Sequence, residues 1–217
     1  MTDSEILSAY FNGGHLEETP LKRLLEIRQS CIDQAVSRAV SGWGVSFSGD
    51  FEDIERQYPD IVKDGLTGQT VIELGPVHRP VYMELKKFDI SRYVAVEPFE
   101  PRATGGALNH ILDQVQDGDA EFERMKLSDK DGLSYLITQP DKSAVVMSYG
   151  VFCPDLQHGN GLYVRFLAKE IHRVTPENGI TIHCGNPGYD LHSLFKQVGF
   201  QIAETRQDYV ALGIKKS

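Results

Sequence analysis

No apolar run in the chain approaches the roughly 18 residues that a membrane-spanning helix needs, so a membrane protein is not expected. Cysteine is scarce: Cys31, Cys153 and Cys184 lie far apart, an odd number without C-x-x-C spacing. That argues against a disulfide framework or a zinc site and for reduced thiols in a cytoplasm. Basic runs are lacking too. No Lys/Arg stretch is longer than a pair, and 22 basic against 31 acidic residues leave a formal charge of −9. Such a field disfavours nucleic acid and anionic membrane surfaces and suits a small or cationic ligand. The opening "MTDSEILSAYFNGGHLEETP" has neither the basic start nor the apolar middle of a signal peptide. Internal repeats and low-complexity segments are absent.

What is present is ordinary for a folded protein: 217 residues, 41% hydrophobic and 24% charged, enough for one sizeable domain with an appendage. From about residue 66, short apolar runs alternate with helical patterns. "TVIELG" (70–75), "RYVAVEP" (92–98), "SAVVMSY" (143–149) and "GITIHCG" (179–185) read as strands, and "EFERMKL" (121–127) as a weaker one. "ALNHILDQV", "SYLITQ" (134–139), "GLYVRFLAKEIHRVT" (161–175) and "DLHSLFKQVGF" read as helices, followed by two β runs, "QIAETRQ" and "DYVALGIKK". Continuous apolar strands between helices predict a mostly parallel sheet covered on both faces. Residues 1–65 differ. "TPLKRLLEIRQSCIDQAVSRAV" (19–40) is amphipathic, with Thr19 as N-cap and Pro20 at the first helical position, and "FEDIERQYPDIV" reads as a second, shorter helix. A helical extension in front of an α/β core is expected.

In an open α/β sheet, ligands bind beyond the carboxyl ends of the strands at the switch point. Gly75 falls where the first strand ends, and a glycine there lets a ligand approach the backbone. The plain alternative is a Gly-Pro turn leading to a helix. The dinucleotide fingerprint G-x-G-x-x-G is not met, since only Gly75 of its three glycines is present. The second strand ends in Glu97, 22 positions after Gly75. A carboxylate at that tip can accept both ribose hydroxyls of an adenosine-containing ligand, or can be one more solvated acid. Strand-Gly followed by strand-Glu at this spacing favours the adenosyl ligand.

"FLAKEIHRVTPENGITIHCG", with Glu170, Arg173, Val174, Pro176 and Gly179 in place, resembles the "E-x-x-R-V-L-K-P-G-G" helix–turn–strand of class I S-adenosylmethionine-dependent methyltransferases. "LHSLFKQVGFQIAETRQDYVALGIKK" is similar to that family's last helix and its two closing strands, and "SAVVMSYGVF" to its fourth strand and following loop. The resemblance covers about residues 66–216, in the family's order. It implies a Rossmann-like methyltransferase fold (residues 66–217): a mostly parallel seven-stranded sheet, its last strand antiparallel, with residues 1–65 as a helical N-terminal cap. It also implies S-adenosyl-L-methionine as cofactor. Glu73, Leu74, Gly75, Pro76 and Val77 would surround its methionine part. Glu97 would hold the ribose, with Pro98 and Phe99 near the adenine. Asp129, flanked by Ser128 and Lys130, would meet the adenine amino group, with Asp131 as its rival. Ser148, Tyr149 and Gly150 would border the sulfonium and the acceptor.

The chain departs from the family's E-x-G-x-G-x-G pattern: Val77 and Arg79 stand at the second and third glycine positions. The cofactor carries no phosphate, so it depends less on a glycine nest than a dinucleotide does. A cofactor site of altered shape is expected, and the alternative is a binding protein that has lost turnover. Methyl transfer to a small-molecule acceptor needs no metal and no universal nucleophile. Where the acceptor must lose a proton, Tyr149, Asp155 and His158 are the candidate bases. "CPDLQHGNG" reads as an acceptor-site loop, Cys153 is not expected to act as a nucleophile, and His78 and Arg79 read as surface residues. His172 and His183 lie in a helix and a strand without metal-ligand spacing. Tyr10 and Trp43 are core anchors or the lining of a lid.

Overall fold

The computed structural model describes residues 47–75, 81–96, 132–149, 151–152, 162–185, 190–205 and 209–217. Two helices come first, α1 (Phe47–Gln57) and α2 (Pro59–Leu66). The sequence pattern gave them as one, but Pro59 at the first helical position of α2 forces a break at Tyr58. Strand β1 (Thr70–Leu74) follows, then α3 (Tyr82–Leu85) with a 3₁₀ turn over Lys86–Phe88, and β2 (Arg92–Val96). After α4 (Gly132–Ile137) come β3 (Val145–Tyr149), α5 (Leu162–Val174), β4 (Ile180–Cys184), α6 (Leu191–Gln197), β5 (Phe200–Ala203) and β6 (Val210–Lys215).

The strands form one sheet in the order β2-β1-β3-β4-β6-β5. The pairs β1–β2, β1–β3 and β3–β4 are parallel. Only β6 runs against its neighbours, β4 and β5. This is the expected Rossmann-like methyltransferase arrangement, with six strands among the described residues. The seventh expected strand, 121–127, and the expected helix 19–40 lie outside them.

Side chains alternate between the two faces, as the pleat requires. Val71, Tyr93, Ala95, Val145, Met147, Ile180, Ile182 and Cys184 pack with Phe51, Ile54, Val62, Leu66 and Leu85 from α1, α2 and α3. Ile72, Leu74, Val94, Val96 and Val146 pack on the opposite face with Leu133, Leu136, Phe166, Leu167, Ile171 and Phe195 from α4, α5 and α6. Because both faces are covered, the strands are mostly apolar, and this made them legible as strands of a parallel sheet.

The charged residues of "KEIHRV" have a mechanical purpose. Arg173 pairs with Glu170 at 2.7 Å and with Asp141, and it donates to the carbonyls of Leu136 (2.8 Å) and Gln139 (2.9 Å). It therefore closes the end of α4 and ties it to α5. Lys215, although buried, donates Nζ to the carbonyls of His172 and Thr175, so a cation sits at the negative end of α5.

Candidate functional site

The chain steps from β1 to β2 on one side and to β3 on the other, so the carboxyl ends of β1 and β3 form the switch point. The register aligns Val96, Leu74, Ser148 and His183 in one row across the four parallel strands. One residue beyond Leu74, Ser148 and His183 stand Gly75, Tyr149 and Cys184, and Glu97 follows Val96 in sequence. Gly75 and Tyr149 are residues the sequence singled out, and the fold brings these two to one edge.

At the tip of β1, Gly75 has φ +73°, a left-handed conformation that a side chain would strain. Its N–H donates to the carbonyl of Val96 at 2.9 Å, which ties the tips of β1 and β2 together. The side chain of Leu74 turns into the core, facing Gly132 so closely that an added Cβ would lie 3.2 Å from its Cδ1. Glu73 points to the other face and is fully buried. Its Oε2 accepts the N–H of Val81 at 3.0 Å and the hydroxyl of Tyr93. Burial first, and then the charge of Glu73, push the Tyr93 phenol well above its ordinary pKa, so it keeps its proton and donates. Its ring leans against Tyr82, with 5.3 Å between centroids.

The tips of β3 and β4 carry a different polar group. Thr181 donates its hydroxyl proton to the carbonyl of Val146 at 2.6 Å. Its oxygen is therefore the acceptor for His183 Nε2–H, and His183 Nδ1 accepts the hydroxyl of Ser148 at 2.7 Å. The hydrogen bonds alone fix this tautomer. Burial pushes the His183 pKa down to about 3, so the ring is neutral at neutral pH. Phe195 stacks on it at 4.4 Å, and Phe152 meets it edge-on at 5.4 Å. Gly185 lets the start of the β3–α5 loop close over this cluster, since a Cβ there would lie 2.7 Å from the Phe152 carbonyl oxygen.

Beside them, Cys184 is buried at the end of β4 and hydrogen-bonds Asp50 of α1. Burial, and then the Asp50 charge, raise the thiol pKa. Burial and Asp53 raise that of Asp50. The first turn of α1 therefore lies at the carboxyl end of β4.

Glu73, Leu74, Gly75 and Ser148 are thus placed at this edge, and Tyr149 is the last residue of β3. Pro76, Val77, Glu97, Pro98, Phe99, Ser128, Asp129, Lys130, Asp131, Gly150, Asp155 and His158 lie outside the described residues. Sequence reasoning missed Tyr93, Thr181 and Asp50, and it weighed His183 only as a metal ligand. A signal existed for two of them: Thr181 and His183 are polar residues two apart, on one face of an otherwise apolar strand. Among the described residues no group of three His, Cys, Asp or Glu could hold a metal ion.

No protein-family model matches the chain, and a sequence comparison with curated proteins gives no match. Solved structures share the fold. The N-methyltransferase NodS from Bradyrhizobium japonicum has a TM-score of 0.56 at 10% identity, covering 80% of this chain and 100% of that one. The 1,6-didemethyltoxoflavin-N1-methyltransferase of Burkholderia thailandensis, solved with 1,6-didemethyltoxoflavin and S-adenosylhomocysteine, has a TM-score of 0.57 at 10% identity and covers 90% of each chain. The T. thermophilus 16S rRNA N2 G1207 methyltransferase, in complex with AdoMet and guanosine, has a TM-score of 0.54 at 16% identity. That match covers 82% of this chain but only 45% of the other. The chain has the Rossmann-like fold of S-adenosylmethionine-dependent methyltransferases.

Proposed function

We propose that the protein transfers a methyl group from S-adenosyl-L-methionine to a small-molecule acceptor. The observation that carries this reading is the level row of strand tips, with Gly75 turning left-handed at the switch point and Glu97 one residue beyond β2. The residues present fit such a ligand: the β1 tip carries no Cβ, and Glu97 supplies a carboxylate suited to a ribose. When bound, the cofactor would supply an activated methyl on sulfur, and the electron pair of the broken carbon–sulfur bond would stay on that sulfur as an acceptor lone pair takes the carbon.

The protein's own work is alignment and exclusion of water. Glu73, Leu74, Gly75, Pro76 and Val77 would shape the methionine side, Glu97, Pro98 and Phe99 the adenosine side, and Asp129 with Ser128 and Lys130 the adenine edge. Ser148, Tyr149 and Gly150 would border the transferred methyl, with Tyr149, Asp155 or His158 taking a proton where the acceptor has one to lose. Of the N-terminal extension over residues 1–65, α1 and α2 pack on one face of the sheet, and residues 1–46 would form the cap over this mouth. The contact between Asp50 and Cys184 supports that role, because it sets the first turn of α1 at this edge.

The charge of −9 favours a small acceptor over RNA. The widely spaced cysteines favour work in the cytoplasm, and no helix among the described residues is long and apolar enough to cross a membrane. A non-catalytic adenosyl-ligand binder is the second reading, favoured by Val77 and Arg79 in place of glycines. Thermal melting tests the first. S-Adenosylhomocysteine at ~100 times its dissociation constant should add about 2.7 kcal/mol of stability, and NAD should add none. A folded protein indifferent to millimolar S-adenosylhomocysteine contradicts both readings. Binding without turnover on a panel of small acceptors selects the second.

A further inference from the structure

The chain leaves the sheet at Gly75 and enters α3 at Val81, and the five residues between include Pro76, Val77 and Arg79 in place of further glycines. Both ends of this loop are held. Gly75 N–H is tied to Val96, and Val81 N–H donates to Glu73 Oε2, which also accepts the hydroxyl of Tyr93 from the neighbouring strand. Glu73 is fully buried and Tyr93 is 1% exposed, so neither side chain meets a ligand arriving from solvent. The Tyr93 ring is wedged against Tyr82 in the first turn of α3 and cannot drift from the carboxylate.

We propose that Tyr93 is a positioning residue for the adenosyl ligand: acting through Glu73, it fixes the Val81 amide at the entry to α3 relative to the tip of β1, a side-chain clamp between the two ends of the connection from β1 to α3. The inference rests on the adenosyl-ligand reading above and adds to it a residue two positions inside β2. Residues 76–80 contain two prolines and no glycine, so the sequence there offers none of glycine's dihedral freedom. A bond from the body of the sheet to Val81 fixes the distance that its two ends must span.

The test uses Tyr93→Phe, which keeps the ring and removes only the hydroxyl, with Val62→Ala as a control that loosens the same core layer at α2, away from the strand tips. Calorimetric titration with S-adenosylhomocysteine should show Tyr93→Phe binding about tenfold more weakly than wild type. The control should keep wild-type affinity despite a lower melting temperature. Amide hydrogen exchange without ligand should be at least about tenfold faster at Val81 in Tyr93→Phe than in wild type and unchanged at Ile72. Wild-type affinity in Tyr93→Phe, or equal weakening in the control, overturns the inference. Unchanged exchange at Val81 does the same. If wild type itself fails to bind, the adenosyl-ligand reading falls, and the exchange measurement still decides whether the clamp exists.

Discussion

Glu73 lies beneath the tips of β1 and β2 on one face of the sheet, and His183 beneath the tips of β3 and β4 on the other. Both are fully buried and both are held by hydrogen bonds, yet their chemistry differs. Glu73 offers a carboxylate oxygen to two donors, one of them the backbone of a returning loop. His183 is a neutral ring in a chain of hydroxyls, clasped by Phe152 and Phe195, and it joins two strands without reaching a loop backbone. The first arrangement fixes where a loop begins and ends. The second stiffens a strand pair and seats Phe152 at the start of the next loop. The two halves of one edge thus rest on supports that respond differently to mutation and to acid.

The largest difference should come from Glu73→Ala. It leaves the Tyr93 hydroxyl and the Val81 amide without their acceptor, and each orphaned buried donor costs about 1–3 kcal/mol, so about 3 kcal/mol of stability should go. Urea unfolding of the variant against wild type measures it. A loss below 1 kcal/mol would mean the clamp is not an integral support.

Acid should act on the other tip. The folded His183 pKa is about 3, below the ~6.5 of an unfolded chain. Between these values the unfolded chain binds a proton that the folded chain does not, so stability falls as pH falls through this window. From pH 7 to pH 5 this group should remove about 2 kcal/mol. Asp50 works in the opposite sense, because a raised carboxyl pKa favours the folded state as acid is added. Unfolding free energies at the two pH values, in wild type and in His183→Gln, isolate the histidine. An equal slope in both proteins would contradict its neutral burial.

The sheet was legible because strands covered on both faces are mostly apolar, and α5 because its apolar residues recur at helical spacing. Arg173 and Glu170 were legible as a pattern, although only the fold shows that they close α4. The break at Tyr58–Pro59 merged in sequence into one helical pattern, since both helices turn apolar residues toward the same face. Gly75 was legible as a strand-end glycine, because its φ of +73° excludes most other residues. Tyr93 was not. A tyrosine in a strand reads as an ordinary β-former, and its hydroxyl becomes informative only when the register sets it beside Glu73. Ser148 and His183 are 35 residues apart in sequence, and only the β3–β4 pairing makes them one unit.

The central claim is that an adenosyl ligand occupies the edge where Gly75 turns and β2 ends at Val96, the residue before Glu97. Calorimetric titration of S-adenosylhomocysteine into wild type and Glu97→Ala tests it most directly, because a strand-tip acid contributes little to the core. The account predicts saturable binding by wild type, weakened by about 1.5–3 kcal/mol in Glu97→Ala, the worth of charge-assisted bonds to two hydroxyls, with the melting temperature of the free protein unchanged. No heat of binding in wild type, or wild-type affinity in Glu97→Ala, would contradict it.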